Sequence, residues 1–121
     1  MLKRYHGEGG NIEITINNLA DIGKTFSDIT DVYFGLKVNL ADDDDSLFYK
    51  TLNTSPGPGG ITLVSGESKI IVAWGADEYE GMVVGDTYYI CFSVLFNGQT
   101  VHTEITINHS KVEILQDRVR R

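Results

Sequence analysis

Asp42-Asp43-Asp44-Asp45 is the densest run of charge in the chain, and four carboxylates could in principle hold a hard cation such as Ca²⁺. Calcium loops place their ligands on alternate residues around a glycine turn, however, whereas adjacent aspartates repel and point apart. The run reads as a solvated loop tip. His6, His102 and His109 make no metal trio. His102 and His109 fall at opposite ends of a predicted strand about 20 Å long, and His102 with Glu104 supplies a pair of ligands at most. Cys91 lies mid-strand among Tyr88, Tyr89, Ile90 and Phe92 with no basic residue nearby, the setting of an inert small hydrophobe rather than a nucleophilic thiolate. Gly57-Pro58-Gly59-Gly60 has the glycine content of a phosphate cradle, but no helix opens after it and no lysine follows. No nucleophile elbow or dinucleotide fingerprint occurs. These residues predict no catalytic group, no metal site and no cofactor, and they disfavour an enzyme.

Aromatic residues offer a different chemistry. Tyr33, Tyr49, Trp74, Tyr79 and Tyr89 could contribute to a stacking platform for sugars, which needs two or three coplanar rings on one exposed face. Only Tyr33 is placed on the wetter side of a strand by its neighbours. Core or interface packing is the expectation for the others, and Phe34, Phe92 and Phe96 are expected in the core.

The elements that would position these groups are strands. Helical periodicity is nearly absent, and turn residues punctuate the chain every eight to twelve positions. Ile12, Ile14 and Ile16 alternate with Glu13, Thr15 and Asn17. Val32, Phe34, Leu36, Val38 and Leu40 alternate with Tyr33, Gly35, Lys37 and Asn39. Ser46 to Leu52 is a shorter candidate, closed by the Pro56–Gly60 loop. Ile61 to Ser65 and Lys69 to Trp74 flank a tight turn at Gly66-Glu67, and the second is apolar on both faces, as a central strand would be. Asp77 to Glu80 predicts a single helical turn. Thr87 to Phe96 and Gln99 to Ile107 are joined by Asn97-Gly98, a strong signal for a two-residue type I′ hairpin. That turn sets Phe92 opposite Thr103 and Val94 opposite Val101, with the apolar face turned to the core. The expectation is an all-β, two-layer antiparallel sandwich of about seven strands; a small closed barrel is the competing architecture. Its boundaries are a flexible N-terminal arm at 1–10, one sandwich domain at 11–115 and a basic tail at 116–121.

With 121 residues, 41% hydrophobic, the chain suits one folded domain. Its longest apolar run, Ile70 to Trp74, is too short to span a bilayer, and no secretion signal is legible at the start. A single cysteine forbids an internal disulfide. The net charge of −7 is uneven: residues 5–110 carry −11, and the two ends carry +4. An acidic body disfavours nucleic acid as a partner. The basic ends (Lys3, Arg4, Arg118, Arg120 and Arg121) are the candidate interface residues, able to touch an acidic neighbour such as a second copy in head-to-tail or ring contacts.

Gly85-Asp86-Thr87-Tyr88-Tyr89-Ile90-Cys91 resembles the penultimate strand of an immunoglobulin-type domain, in which an Asp precedes a Tyr and a Cys follows that Tyr by two residues. The earlier cysteine of that family is missing, so the resemblance implies a sheet arrangement and a tyrosine corner but no disulfide. In layout, Asp31 to Leu40, the glycine-rich turn into Ile61 and the Gly85 to Ile107 hairpin resemble the small N-terminal β-sandwich domain of bacteriophage upper-baseplate proteins and related virion components. That resemblance covers about residues 28–107 and brings no catalytic residues. It implies an Ig-like, non-enzymatic structural protein of the virion tail, baseplate or head attachment. Such a protein would be a homo-oligomer among other virion proteins, without membrane or nucleic-acid contacts, assembled in the host cytoplasm. The alternative from a different class is a carbohydrate- or host-surface-binding module.

Overall fold

A computed structural model describes residues 2–16, 19, 22–38, 47–52, 59–105 and 107–116, the side chains of residues 48, 65 and 104 excepted. Within them run nine strands: β1 (Leu2–Tyr5), β2 (Ile12–Thr15), β3 (Ile29–Lys37), β4 (Phe48–Thr51), β5 (Ile61–Val64), β6 (Lys69–Val72), β7 (Thr87–Phe96), β8 (Thr103–Glu104) and β9 (Lys111–Leu115). They form two sheets. One has the order β1-β9-β7-β3-β4, with β8 also on β7; the other has the order β2-β6-β5. β2, β6 and β5 take the places of strands B, E and D of the immunoglobulin sandwich, and β9, β7, β3 and β4 those of G, F, C and C′. The protein is an all-β, two-layer, Ig-like sandwich.

Period-two burial builds it. Ile12 and Ile14 of β2, Val32, Phe34 and Leu36 of β3, and Tyr88, Ile90, Phe92, Val94 and Phe96 of β7 are all buried, while their odd-numbered neighbours face outward. β3 and β7 pair antiparallel from Ile29↔Phe96 to Lys37↔Tyr89 and form the long axis of the larger sheet. β6, apolar on both faces, is the middle strand of the smaller one. β3 stops at Lys37, so Val38, expected in the core, stands 62% exposed. The Asp42–Asp45 run and most of the proline-glycine loop lie outside the described residues.

The N-terminal segment departs from the expectation of a flexible arm. Leu2–Tyr5 is an edge strand, paired parallel to β9 from Leu2↔Val112 to Tyr5↔Leu115, in a sandwich otherwise paired antiparallel between its named strands. Arg4 takes the core-facing position and is only 5% exposed. Its guanidinium lies over the Trp74 ring, 4.9 Å from the centroid. Nε donates to the Tyr79 hydroxyl at 3.1 Å, and the Nη2 atom donates to the carbonyls of Glu8 (3.0 Å), Gly10 (3.2 Å) and Trp74 (3.4 Å). Glu8 Oε2 stands 3.5 Å from Nη1. Tyr79 stacks on Trp74 at 5.4 Å and donates its own proton to Glu8 O at 2.9 Å. Burial raises the Tyr79 phenol above its ordinary 10.0, although the Arg4 hydrogen bond opposes the rise, so the O–H donor is retained. Residues 76–81 form turns rather than a helix, and they carry Tyr79 into this knot.

The hairpin after β7 also differs from expectation. Gln99 N donates to Phe96 O at 3.0 Å, and Gly98 has φ +83. Ser68 is the only described non-glycine residue with positive φ, so Asn97 does not take the type I′ conformation. Positive φ at the second central residue alone is the type II pattern, whose twist splays the flanking strands. Gln99 to His102 therefore leaves the ladder and Val101 stands 74% exposed, where Val94 was expected to cover it. Pairing resumes at Ser93↔Glu104 and Val94↔Thr103, two residues beyond the expected register. An even slip preserves parity, so Ile105 still reaches the core.

The tyrosine corner falls on a different residue from the one expected. Val83 N donates to the Tyr88 hydroxyl at 2.7 Å, a side-chain tie to backbone five residues upstream. Tyr88 and not Tyr89 makes this corner, because Tyr88 has the core-facing parity; Tyr89 and Cys91 point outward together. Replacing Arg4 by Ala should cost about 3 kcal/mol in urea unfolding, since it removes the guanidinium's hydrogen bonds to Tyr79, Glu8, Gly10 and Trp74 and its packing on the Trp74 ring. Lys3→Ala, on the solvent side of the same strand, should change stability by less than about 0.5 kcal/mol.

Candidate functional site

The outward face of the larger sheet gathers the residues with binding chemistry. On β3 these are Tyr33 and Lys37, on β4 Tyr49, on β7 Tyr89, Cys91 and Ser93, and on β9 Lys111. Register sets them in rows: Lys37 opposes Tyr89, which opposes Lys111, and Gly35 lies between Tyr49 and Cys91. Because Gly35 has no side chain, the Tyr33 ring has room to meet Tyr49 diagonally across the ladder. Their centroids are 5.5 Å apart and their planes differ by 21°. Lys111 Nζ stands 5.2 Å over the Tyr89 ring, a contact worth about 0.5–1 kcal/mol at an exposed site.

A cleft of about 410 Å³ opens on this face, lined by Tyr33, Lys37, Cys91, Ser93, His109 and Ser110 around an apolar floor of Ile90, Phe92, Ile105 and Ile107. Its origin is an interruption of the strand opposite β7. Between the pairs Ser93↔Glu104 and Tyr89↔Lys111 that strand uses three residues more than β7 does. The surplus swings out toward the smaller sheet. Ile107 bridges Ile16, Asn108 N donates to Thr15 O at 3.2 Å, and Thr15 N donates to Asn108 Oδ1 at 3.0 Å. The chain then returns to β7, where Ile90 N donates to Ser110 O at 2.9 Å. Ile90, Phe92 and Ile105 each keep slight exposure through the gap, whereas Val32, Phe34 and Leu36 on the neighbouring strand keep none. Ligand pockets commonly have this size and this mix of apolar floor and polar rim.

Of the residues singled out from the sequence, Tyr33 and Tyr49 are brought together, whereas Lys3 and Arg4 are not. Lys3 is exposed on β1, but Arg4 is sealed inside and cannot serve an intermolecular contact; adjacent residues of a strand point to opposite faces. Arg118, Arg120 and Arg121 lie outside the described residues. Trp74 and Tyr79 belong to the buried knot, which leaves Tyr33, Tyr49 and Tyr89 as the aromatic face. His102 Nε2 lies 4.0 Å from Asp31 Oδ2 on the outer side of the sheet. Among the described residues no group of three or more His, Cys, Asp and Glu is placed to hold a metal ion. Sequence reasoning missed the cleft and β9, although Val112 and Ile114 alternate with Lys111, Glu113 and Leu115 as a strand should.

His109 has its Nδ1 buried with no hydrogen-bond partner among the described residues. Burial holds the imidazole below its ordinary 6.5. Above pH 6.5 the imidazole is neutral in folded and unfolded chains alike. As the pH falls below 6.5 the unfolded chain takes up a proton that the folded one resists, so stability is lost as the pH drops through the lowered folded value. Urea midpoints measured from pH 7.5 to 5.0 should therefore fall more steeply for the native chain than for His109→Gln; parallel curves would show that burial does not control this group. Compared with protein-family models, curated proteins and solved structures, the chain matches none.

Proposed function

We propose that this chain is a non-enzymatic structural component of a bacteriophage virion, in the tail, baseplate or head attachment. It joins copies of itself and other virion proteins through the outward face of the larger sheet, and assembly takes place in the host cytoplasm. The observation that carries the reading is the make-up of that face. Four tyrosines, Tyr5, Tyr33, Tyr49 and Tyr89, and three lysines, Lys3, Lys37 and Lys111, stand on it together with the carboxylate residues Asp31 and Glu113, in a protein of net charge −7. Tyrosine enrichment is a mark of recognition surfaces. Its lysines suit acidic neighbours, among them the body of another copy. The layout resemblance to phage baseplate sandwiches supplies the setting.

A second reading, a carbohydrate- or host-surface-binding module, is favoured by the Tyr33–Tyr49 stack, because part-exposed aromatic rings offer a flat apolar face to a sugar. The experiment that separates the two is mass spectrometry of purified phage particles combined with a Tyr33→Ala/Tyr49→Ala variant and a glycan array. The chain should be found in particles, and the variant should keep its fold while incorporating at least tenfold less. Absence from particles, or incorporation unaffected by the substitutions, would refute the assembly reading. A glycan signal lost in the variant would favour the second.

A further inference from the structure

The loop before β7 carries the counterpart of the cleft. Val83 and Val84 stand 56% and 44% exposed, side by side, and are flanked by the exposed carboxylate residues Glu80 and Asp86. Water is a poor environment for two adjacent apolar side chains, and this pair does not lie on a loose loop. Val83 N is held by the Tyr88 hydroxyl at 2.7 Å, Asp86 N donates to Val83 O at 3.1 Å, and Gly85 N donates to Ile114 O at 2.8 Å. The knob is pre-formed, so little ordering entropy opposes its docking.

The cleft is complementary on each count. Its floor is apolar (Ile90, Phe92, Ile105, Ile107), it admits two side chains of valine size, and Lys37 belongs to its lining. Val101, the most exposed large apolar side chain among the described residues, has no such match, because its neighbours Thr100 and His102 bring no negative charge. Knob and cleft occupy separate stretches of the chain: the knob precedes Thr87, and the lining of the cleft on β7 begins at Ile90, three residues or roughly 10 Å further along the strand.

We infer that copies of this chain join head to tail, with Val83 and Val84 of one copy seated in the cleft that β7 forms with Ile105, Ile107, His109 and Ser110 of the next, and Glu80 and Asp86 turned toward Lys37. This inference rests on the assembly reading above and names its contact. Because the two surfaces differ, the contact is heterologous and propagates into a ring or an open chain instead of stopping at a two-fold dimer.

Light scattering of the purified full-length chain tests it with two variants, Val84→Asp on the knob and Ser93→Arg on the rim of the cleft. The native chain should form species larger than a dimer as its concentration rises. Each variant alone should be monomeric with a native circular dichroism spectrum and melt. Mixed, they should give a 1:1 dimer and nothing larger, since one copy keeps its cleft and the other its knob. Should Ser93→Arg fail to fold, Lys37→Glu replaces it as the cleft variant. A native chain that stays monomeric at millimolar concentration, a Val84→Asp variant that assembles like the native chain, or a mixture that remains monomeric would each overturn the inference. A monomeric chain still found in phage particles would overturn this contact and leave the assembly reading standing, whereas a self-assembling chain absent from particles would do the reverse.

Discussion

Removing the Arg4 guanidinium from water costs several kcal/mol, and the structure can bear that cost because Nε and Nη2 find oxygen acceptors and Nη1 stands beside the Glu8 carboxylate. Those acceptors come from two distant parts of the chain: Glu8 and Gly10 on one side, Trp74 and Tyr79 on the other. The cation therefore fastens the connection between β1 and β2 to the connection between β6 and β7. Gly10, at φ +122, takes a backbone conformation that disfavours a side chain, so its carbonyl can reach the guanidinium while its N–H donates to Trp74 O at 3.1 Å. With Arg4 anchored, β1 is held against β9, and the larger sheet gains an edge that would otherwise end at β9. The last strand is thereby flanked on both sides, which fixes where the chain re-enters the sheet after its excursion.

That excursion gives the molecule its most distinctive surface. An uninterrupted strand opposite β7 would seal the core and leave a flat sheet. Three surplus residues instead reach across to β2, so the two layers are linked by backbone as well as by packed side chains. The gap left behind exposes the edges of Ile90, Phe92 and Ile105. A local irregularity in pairing thus opens a cleft beside the core, since extra residues in one strand disrupt the ladder locally. The Tyr88 corner acts at the other end of β7, where it makes the preceding loop rigid enough to present its valines in one arrangement. Cleft and knob are both products of how the chain enters and leaves that one strand.

Much of the architecture was legible in the order of residues. Alternation is a nearest-neighbour property, so Ile12/Ile14, Val32/Phe34/Leu36 and the whole of Thr87–Phe96 announced strands and buried faces without knowledge of their partners. Apolarity on both faces marked β6 as central for the same reason. The outward placement of Tyr33 followed from its parity. Glycine after asparagine marked the reversal at 97–98, though not its turn type, because types I′ and II differ in one φ that depends on where the following strand can pair.

Tertiary structure decided what depends on distant partners. A core-facing position in β1 is filled by an arginine, which looks like an interface residue until Trp74, Tyr79 and four residues of glutamate-glycine turn are seen around it. The hairpin register slipped by two because burial energy is the same for registers of equal parity, leaving the choice to turn geometry and to the anchoring of β9. The cleft is invisible in sequence for the same reason: it exists only as a mismatch between two paired strands. The chain alone therefore fixes which side chains face inward, since that requires only a period of two, whereas which strands meet, and where they part, is settled by contacts between residues as far apart as Arg4 and Tyr79.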